Sequence, residues 1–430
     1  MSQLATHKAI EAVWYIESAR IIGALTRMLR DVGLAEELAQ DALVSALETW
    51  PQTGVPDNPA AWLMTAARHR ALDRLRHHKL QLARHEAFGR DRQIEQELAG
   101  IDPLAALDDP VGDDVLRLLF IACHPVLPPE GRVALTLRLL GGLSTDEIAR
   151  AFLVPEPTIA QRIVRAKRTL SAAQVPFEVP QKQDLPERLG SVLAVIYLIF
   201  NEGYAATAGD DWMRPALCDE ALRLGRILAA LAGDESEVHG LVALMEIQAS
   251  RARARTDAHG RPVLLLEQNR ARWDHLLIQR GLAALERARA LGGLLGPYAL
   301  QAGIAACHAR ACTAEATDWQ EICALYDALA QVSPSPVVEL NRAVAVCMAF
   351  GPEAGLAAVD ALLNEPALRQ YHLLPAVRAD FLFRLGRFEE AGAAFERAAA
   401  MTRNLPERTL LLARAQSCQS QLLSKPDTIG

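Results

Sequence analysis

Apolar residues recur at helical spacing along most of this 430-residue chain, in blocks separated by proline- and glycine-rich stops, and rarely alternate as in a half-buried strand. Residues 8 to 79 read as three helices, Lys8 to Arg30, Leu34 to Trp50 and Asn58 to Lys79. Between the last two, Trp50-Pro51-Gln52-Thr53-Gly54-Val55-Pro56-Asp57 is dense in turn formers. Asn58-Pro59 then supplies a cap and a first-turn proline, which gives up an amide that would be unpaired anyway. The pattern weakens from Leu80 to Pro110, where Gly89, Gly100, Pro103 and Asp108-Asp109-Pro110 mark a linker with one short helix. It resumes at Asp114, runs to about Ala172, and breaks at Val175-Pro176, Val179-Pro180 and Leu185-Pro186. From 187 to about 420 helix follows helix. Leu385-Gly386-Arg387-Phe388-Glu389-Glu390-Ala391, with Phe395 and Ala398, matches the small-large pattern by which tetratricopeptide helix pairs interlock. Upstream, Asn341-Arg342-Ala343 and Glu353-Ala354-Gly355 echo Val377-Arg378-Ala379 and Glu390-Ala391-Gly392; an irregular helical bundle is the other reading. The predicted class is all-α, in segments 1–80, 81–112, 113–175 and 187–420.

Composition agrees: 51% hydrophobic but only 5% aromatic residues suit helices, and the length suits two to four domains at roughly 100 to 200 residues each. No secretory signal is read at the N-terminus, and the longest apolar run, Val192 to Phe200, is about half of what spans a bilayer, so a cytoplasmic protein with no membrane partner is expected. Seven cysteines without a CxxC pair read as reduced core thiols, and Cys123-His124 and Cys307-His308 lack metal-ligand spacing. No P-loop or GxGxxG is present, so the expectation is no cofactor, no metal and no catalytic residue.

Charge is laid out unevenly in this chain of net charge -7. From Asp31 to Ala67 there is no Lys or Arg, whereas Asp31, Glu36, Glu37, Asp41, Glu48 and Asp57 are acidic. From Arg68 to Arg92 eight Arg or Lys face three acids. One small helical unit thus has an acidic end and a basic end, two surfaces for two partners, unless these are merely solvated helix faces. On the third helix Trp62, His69, Asp73 and Arg76 fall in one narrow stripe, an aromatic beside cations, as stacking on a single-stranded base requires. Core packing is the plainer role for Trp62.

A second basic stretch follows a turn-helix signal. In Gly141-Gly142-Leu143-Ser144-Thr145-Asp146-Glu147-Ile148-Ala149-Arg150-Ala151-Phe152, Ser144 and Glu147 form a capping box, and Ile148, Ala149 and Phe152 give a buried face. A second helix begins near Pro157 with Ile159, Ile163 and Ala166 inward and Thr158, Gln161, Arg162 and Arg165 outward. This is a helix-turn-helix whose outer face offers donors to guanine edges and phosphates.

Together these residues resemble an extracytoplasmic-function sigma factor of bacterial RNA polymerase. The stretch Ala35-Glu36-Glu37-Leu38-Ala39-Gln40-Asp41-Ala42, Asn58-Pro59-Ala60-Ala61-Trp62-Leu63 and Arg70-Ala71-Leu72-Asp73-Arg74-Leu75-Arg76 is similar to sigma region two. Leu143 to Leu170 is similar to region four, its Pro155-Glu156-Pro157-Thr158 turn standing near the Pro-Glu-Gly-Thr common there. Ile196-Tyr197-Leu198-Ile199-Phe200-Asn201-Glu202-Gly203-Tyr204 and the repeat-like end resemble the subgroup with a long C-terminal extension. The resemblance implies that Glu37, Gln40 and Asp41 dock on the β′ clamp helices of core polymerase, with region four near the β flap. It implies that Asn58, Trp62, His69, Arg70, Asp73, Arg74 and Arg76 capture the minus-ten element of promoter DNA, and that Thr158, Gln161, Arg162, Arg165 and Arg168 read the minus-thirty-five element. His69 stands where the family has Asn. The extension is expected to regulate or support activity, and stacked helix pairs offer a surface for a protein or peptide partner.

Two further signals stand apart. Arg251, Arg253 and Arg255 alternate before Thr256-Asp257-Ala258-His259-Gly260-Arg261, read as the solvated end of a helix before a turn rather than a third basic patch. Glu267, Asn269, Arg270, Trp273, Asp274 and His275 form a polar cluster without triad-like spacing. Two rival readings follow: a one-component regulator with a ligand- or protein-sensing repeat domain, which leaves the charge segregation of 31 to 92 unexplained, and an enzyme seated in 187 to 330.

Overall fold

Among the described residues, apart from two two-residue strands, regular structure is helical. The computed structural model describes residues 3–85, 111–152, 154–181, 183–206, 208–209, 212–293 and 296–424. The linker expected at 81–112 lies, for 86–110, outside the described residues. The chain divides into two units, Met1–Val195 and Ile196–Gly430.

In the first unit α1 (Gln3–Leu29), α2 (Val32–Thr53) and α3 (Pro59–His85) pack on one another. Ile21, Leu25, Ala39, Ala42, Trp50, Leu63 and Ala67 are buried between them, the i, i+3, i+4 stripes of each helix. Asp31 caps α2, its Oδ1 accepting from the amides of Gly33 (2.8 Å) and Leu34 (3.0 Å). Asn58 caps α3 through the amide of Ala61 at 3.0 Å. Helix α2 continues past Trp50, where the turn formers predicted a stop. Pro51 sacrifices one hydrogen bond near the helix end, whereas Gly54, at φ 89°, adopts a conformation that side chains disfavour, and its amide closes on Trp50 O at 3.0 Å.

Among the described residues of this unit there follow α4 (Val111–Ala122), α5 (Pro129–Leu139), α6 (Thr145–Phe152) and α7 (Glu156–Ala172). Leu118, Leu119, Phe120, Leu135, Leu137, Ile148, Ile159, Ile163 and Leu170 are buried. Helix α8 (Leu185–Tyr204) contributes residues to both units.

The second unit continues with α9 (Pro215–Leu231), α10 (Ser236–Ala249), α11 (His275–Ala290), α12 (Pro297–Arg310), α13 (Trp319–Val332), α14 (Pro336–Phe350), α15 (Pro352–Asp360), α16 (Leu373–Arg384), α17 (Phe388–Met401) and α18 (Leu405–Ser424). Sequence neighbours pack against each other, with α10 also against α12. Helices α14 to α18 share one core around Leu340, Cys347, Val359, Phe381, Leu382, Phe395 and Leu411. Arginines evenly spaced along the chain, Arg342, Arg378 and Arg414, each reach back to an aspartate of an earlier helix, Asp327 (2.5 Å), Asp360 (2.7 Å) and Asp380. Each bond ties two helices of this unit together. A short parallel pairing of β1 (Ala208–Gly209) with β2 (Arg403–Asn404) joins the two ends of the unit, and buried Asn404 donates from Nδ2 to Ala206 O at 3.1 Å.

Candidate polymerase and nucleic-acid interface

The acidic helix α2 presents Glu37 and Asp41 to solvent, while Gln40 is half-buried. Gln40 Nε2 donates to Glu36 Oε1 at 2.6 Å. Glu36 is 4% exposed, because it falls on the apolar stripe with Val32 and Ala39. It is met there by two cations of other helices: Arg138 on α5, whose Nε donates at 2.7 Å, and Lys167 on α7. Arg138 also donates to Leu143 O at 3.1 Å, at the approach to α6. A groove of about 320 Å³ along this seam is lined by Glu36, Glu37, Gln40, Arg138, Val164 and Lys167. A second ionic contact joins α1 to α4: buried Asp114 takes Arg117 at 2.9 Å and Arg27 at 3.5 Å.

On α3 the stripe residues His69, Asp73 and Arg76 are exposed, as is Arg74. Asp73 and Arg76 pair with each other at 3.3 Å. Trp62 is half-buried, its ring edge-on to buried Trp50 with centroids 5.4 Å apart, so part of the indole is committed to the core and part remains available. Arg70 is tied down, donating to Ala66 O at 3.1 Å and to Ser45 Oγ on α2. Arg68 is half-buried, and burial, then nearby Arg27, lowers its guanidinium pKa. Among the described cations of α3, Arg74 and Arg76 are exposed, Arg68 is half-buried and Arg70 is anchored. Asn58 spends its acceptor on the cap.

The predicted capping box is formed: Ser144 N donates to Glu147 Oε2 at 2.7 Å, and Glu147 N to Ser144 Oγ at 3.2 Å. Helix α6 therefore starts where two free amides are satisfied reciprocally. On α7, Ile159, Ile163 and Ala166 are buried, as their spacing predicted. Gln161, Arg165 and Arg168 are exposed, and Thr158 and Arg162 are half-buried.

Comparison with known proteins bears on these two helical bodies. A sigma-70 region 2 profile matches residues 17–81, and a sigma-70 region 4 profile matches 117–170. The chain is 30% identical over 158 residues to the ECF RNA polymerase sigma factor SigK of Mycobacterium tuberculosis, covering 35% of this chain and 78% of that one. The chain belongs to the ECF RNA polymerase sigma factors. The region 2 match of this sigma factor lies on α1 to α3 and the region 4 match on α4 to α7. It acts in transcription initiation, with core RNA polymerase and promoter DNA as partners. A probable ECF sigma factor, SigI of the same species, is 24% identical over 180 residues, covering 42% of this chain and 60% of SigI. An uncharacterized protein of Rhizobium meliloti is 46% identical over 388 residues, covering 90% of each chain. A family of unknown function matches residues 188–289 of this sigma factor, and no solved structure matches the chain. Among the described residues no helix is long and apolar enough to cross a membrane.

Sequence reasoning missed the buried contacts of Glu36 with Arg138 and Lys167 and of Asp114 with Arg27 and Arg117. An acid on the apolar stripe of α2 was the available signal for Glu36, since a buried carboxylate needs a partner from elsewhere. Nothing local pointed to Arg138 or Lys167 as that partner.

Proposed function

We propose that this sigma factor binds the β′ clamp helices through Glu37, Gln40 and Asp41, captures and opens the minus-ten element with Asn58, Trp62, His69, Arg70, Asp73, Arg74 and Arg76, and reads the minus-thirty-five element with Thr158, Gln161, Arg162, Arg165 and Arg168. The working segments are 1–80, 113–175 and a tetratricopeptide-like extension at 187–420 that regulates or supports activity by binding a protein or peptide. The observation that carries this reading is the separation of exposed charge: acids on α2, cations on α3 and α7. The exposed cations suit phosphates and base edges, and the half-buried Trp62 offers a face for one unstacked base.

The Glu36 bridge adds a condition. Promoter elements some 25 base pairs apart, at about 3.4 Å each, lie on the order of 80 Å apart. In this proposal the Glu36 bridge to Arg138 and Lys167 and simultaneous contact with both elements exclude each other.

The test is transcription in vitro by core polymerase with and without the full chain, followed by mapping of start sites. Transcripts from defined starts only when the chain is present support the proposal. Tight operator binding without polymerase, and no change in transcription with it, would favour a one-component regulator instead.

A further inference from the structure

Two signals left over from the sequence, the alternating arginines of 251–255 and the polar cluster around Trp273, come together in one place. Helix α10 ends at Ala249, and the loop that follows does not wander. Its ends are closed by Asp274 N on Ser250 O at 2.8 Å, and its middle by Val263 N on Arg255 O at 2.8 Å. Asp274 caps α11 through the amides of Leu276 and Leu277. A long, internally bonded loop of this kind more often carries function than mere connection.

The loop packs its arginines on aromatic rings. The Arg255 guanidinium lies 3.7 Å from the Tyr204 ring centre and 5.4 Å from that of Trp212, and the residue is 7% exposed rather than solvated. Arg251 lies 5.7 Å from Tyr204 and 5.9 Å from Trp273, and Arg270 lies 4.9 Å from Trp273. Arg255 donates to Tyr204 O, and Arg251 to Gln248 Oε1. Arg270 donates to His308 O, to Ala311 O at 2.7 Å and to Thr317 Oγ1 at 3.2 Å. All these acceptors are neutral. Among the described residues no carboxylate forms an ion pair with any of the three, and Glu315, the acid whose field reaches Arg270, is exposed.

Around Trp273 four buried nitrogens have no hydrogen-bond partner: Arg251 Nε, Arg270 Nε, Trp273 Nε1 and His308 Nδ1. Trp273 is 4% and His308 8% exposed. His308, edge-on to Trp319, is held neutral by burial and then by the charges of Arg251 and Arg270, its pKa pushed down to about 4. A cation-π contact returns less than removing a guanidinium from water costs, so aromatic rings alone leave the cluster in deficit. Three unsatisfied N–H donors, the two arginine Nε and the indole Nε1, beside positive charge without a carboxylate suit an anion.

We propose that Arg251, Arg270, Trp273 and His308, with Arg255 behind them, bind the phosphate group of a small phosphorylated ligand. A carboxylate brings one charge and two oxygens. A phosphate brings nearly two charges and three free acceptors, which suits several guanidinium forks better. A separate cavity of about 530 Å³, lined by Tyr204, Asp219, Ser250, Arg253, Asp274 and Arg280, neighbours the loop, and none of the five proposed ligands lines it. The site stands independently of the polymerase reading.

Calorimetric titration of the full chain with inorganic pyrophosphate, inorganic phosphate and acetate at constant ionic strength tests this. Saturable binding of pyrophosphate and phosphate, at least tenfold weaker in Arg251→Gln and weakened in Trp273→Phe, is expected, with Arg251→Lys intermediate. Circular dichroism and the melting temperature without ligand establish that the variants are folded, and Trp273→Phe keeps an aromatic ring while removing the indole donor. Absence of saturable binding by the wild type, equal binding by folded Arg251→Gln, or binding of acetate in preference to phosphate would overturn the proposal.

Discussion

Glu36 in the sigma unit and Arg255 in the C-terminal unit are both buried charges, and the chain treats them in opposite ways. Glu36 is clamped by Arg138 and Lys167 from two other helices. Arg255 leans on Tyr204 and Trp212 without a carboxylate. In the first unit, therefore, charge holds together two bodies that must each meet a partner. In the second, ion pairs also join helices, as Arg226 to Glu246 and Arg378 to Asp360, but the charge of Arg255 is left over for something else.

The largest way to break this contrast is at Glu36. Glu36→Leu should lower stability by about 2–3 kcal/mol in urea unfolding, below the range for a fully buried pair because Arg138 and Lys167 regain water on release. The same change should separate fluorescent labels placed on α2 and α7. An unaltered label distance would mean that the two bodies are held by something other than the bridge.

Protonation gives the next largest effect and sharpens the comparison. Burial, then neighbouring arginines, lower the pKa of His308 in the second unit and His124 in the first to about 4. For a histidine whose folded pKa lies below its unfolded value of about 6.5, the unfolded chain binds the proton more tightly, so stability is full above pH 6.5 and falls as pH drops toward 4. His308 should remove about 2 kcal/mol between pH 7 and pH 5. Half-buried His124 should remove less, because solvent screens it. Unfolding curves at the two pH values, repeated for His308→Gln, read the difference. A wild-type stability that does not change over this range contradicts the assignment.

The smallest effect concerns packing in the repeat. Gly355 and Gly392 occupy equivalent motif positions, yet a Cβ at 355 would lie 2.4 Å from Cys347 Cβ, while one at 392 would lie 3.6 Å from Cys418 Cβ. Gly355→Ala should cost about 1–3 kcal/mol through overpacking, and Gly392→Ala should be neutral or stabilising by about 0.5–1 kcal/mol. Equal thermal shifts for the two would show that close approach is not what holds α14 to α17 together.

Much of this was legible in the chain because it is local. The Ser144 and Glu147 box, the Asn58 cap and the inward Ile159, Ile163 and Ala166 each depend on residues a few positions apart. The candidate surfaces on α2, α3 and α7 follow from the same periodicity. What escaped is long-range. The partners of Glu36 lie about a hundred residues or more away, β1 pairs with β2 across most of the second unit, and Arg251 and Arg270 meet at Trp273 only after the loop has folded back. Pro51 misled in another way, since a proline near a helix end removes one bond without stopping the helix.

Run-off transcription by core polymerase with two paired charge reversals, Glu37→Lys with Asp41→Lys and Arg165→Glu with Arg168→Glu, tests the central claim most directly. The account predicts that both lose the start-specific transcript, the first by losing polymerase and the second while still co-purifying with it. A chain that keeps full transcription with either pair reversed, or that loses polymerase equally in both, would contradict it.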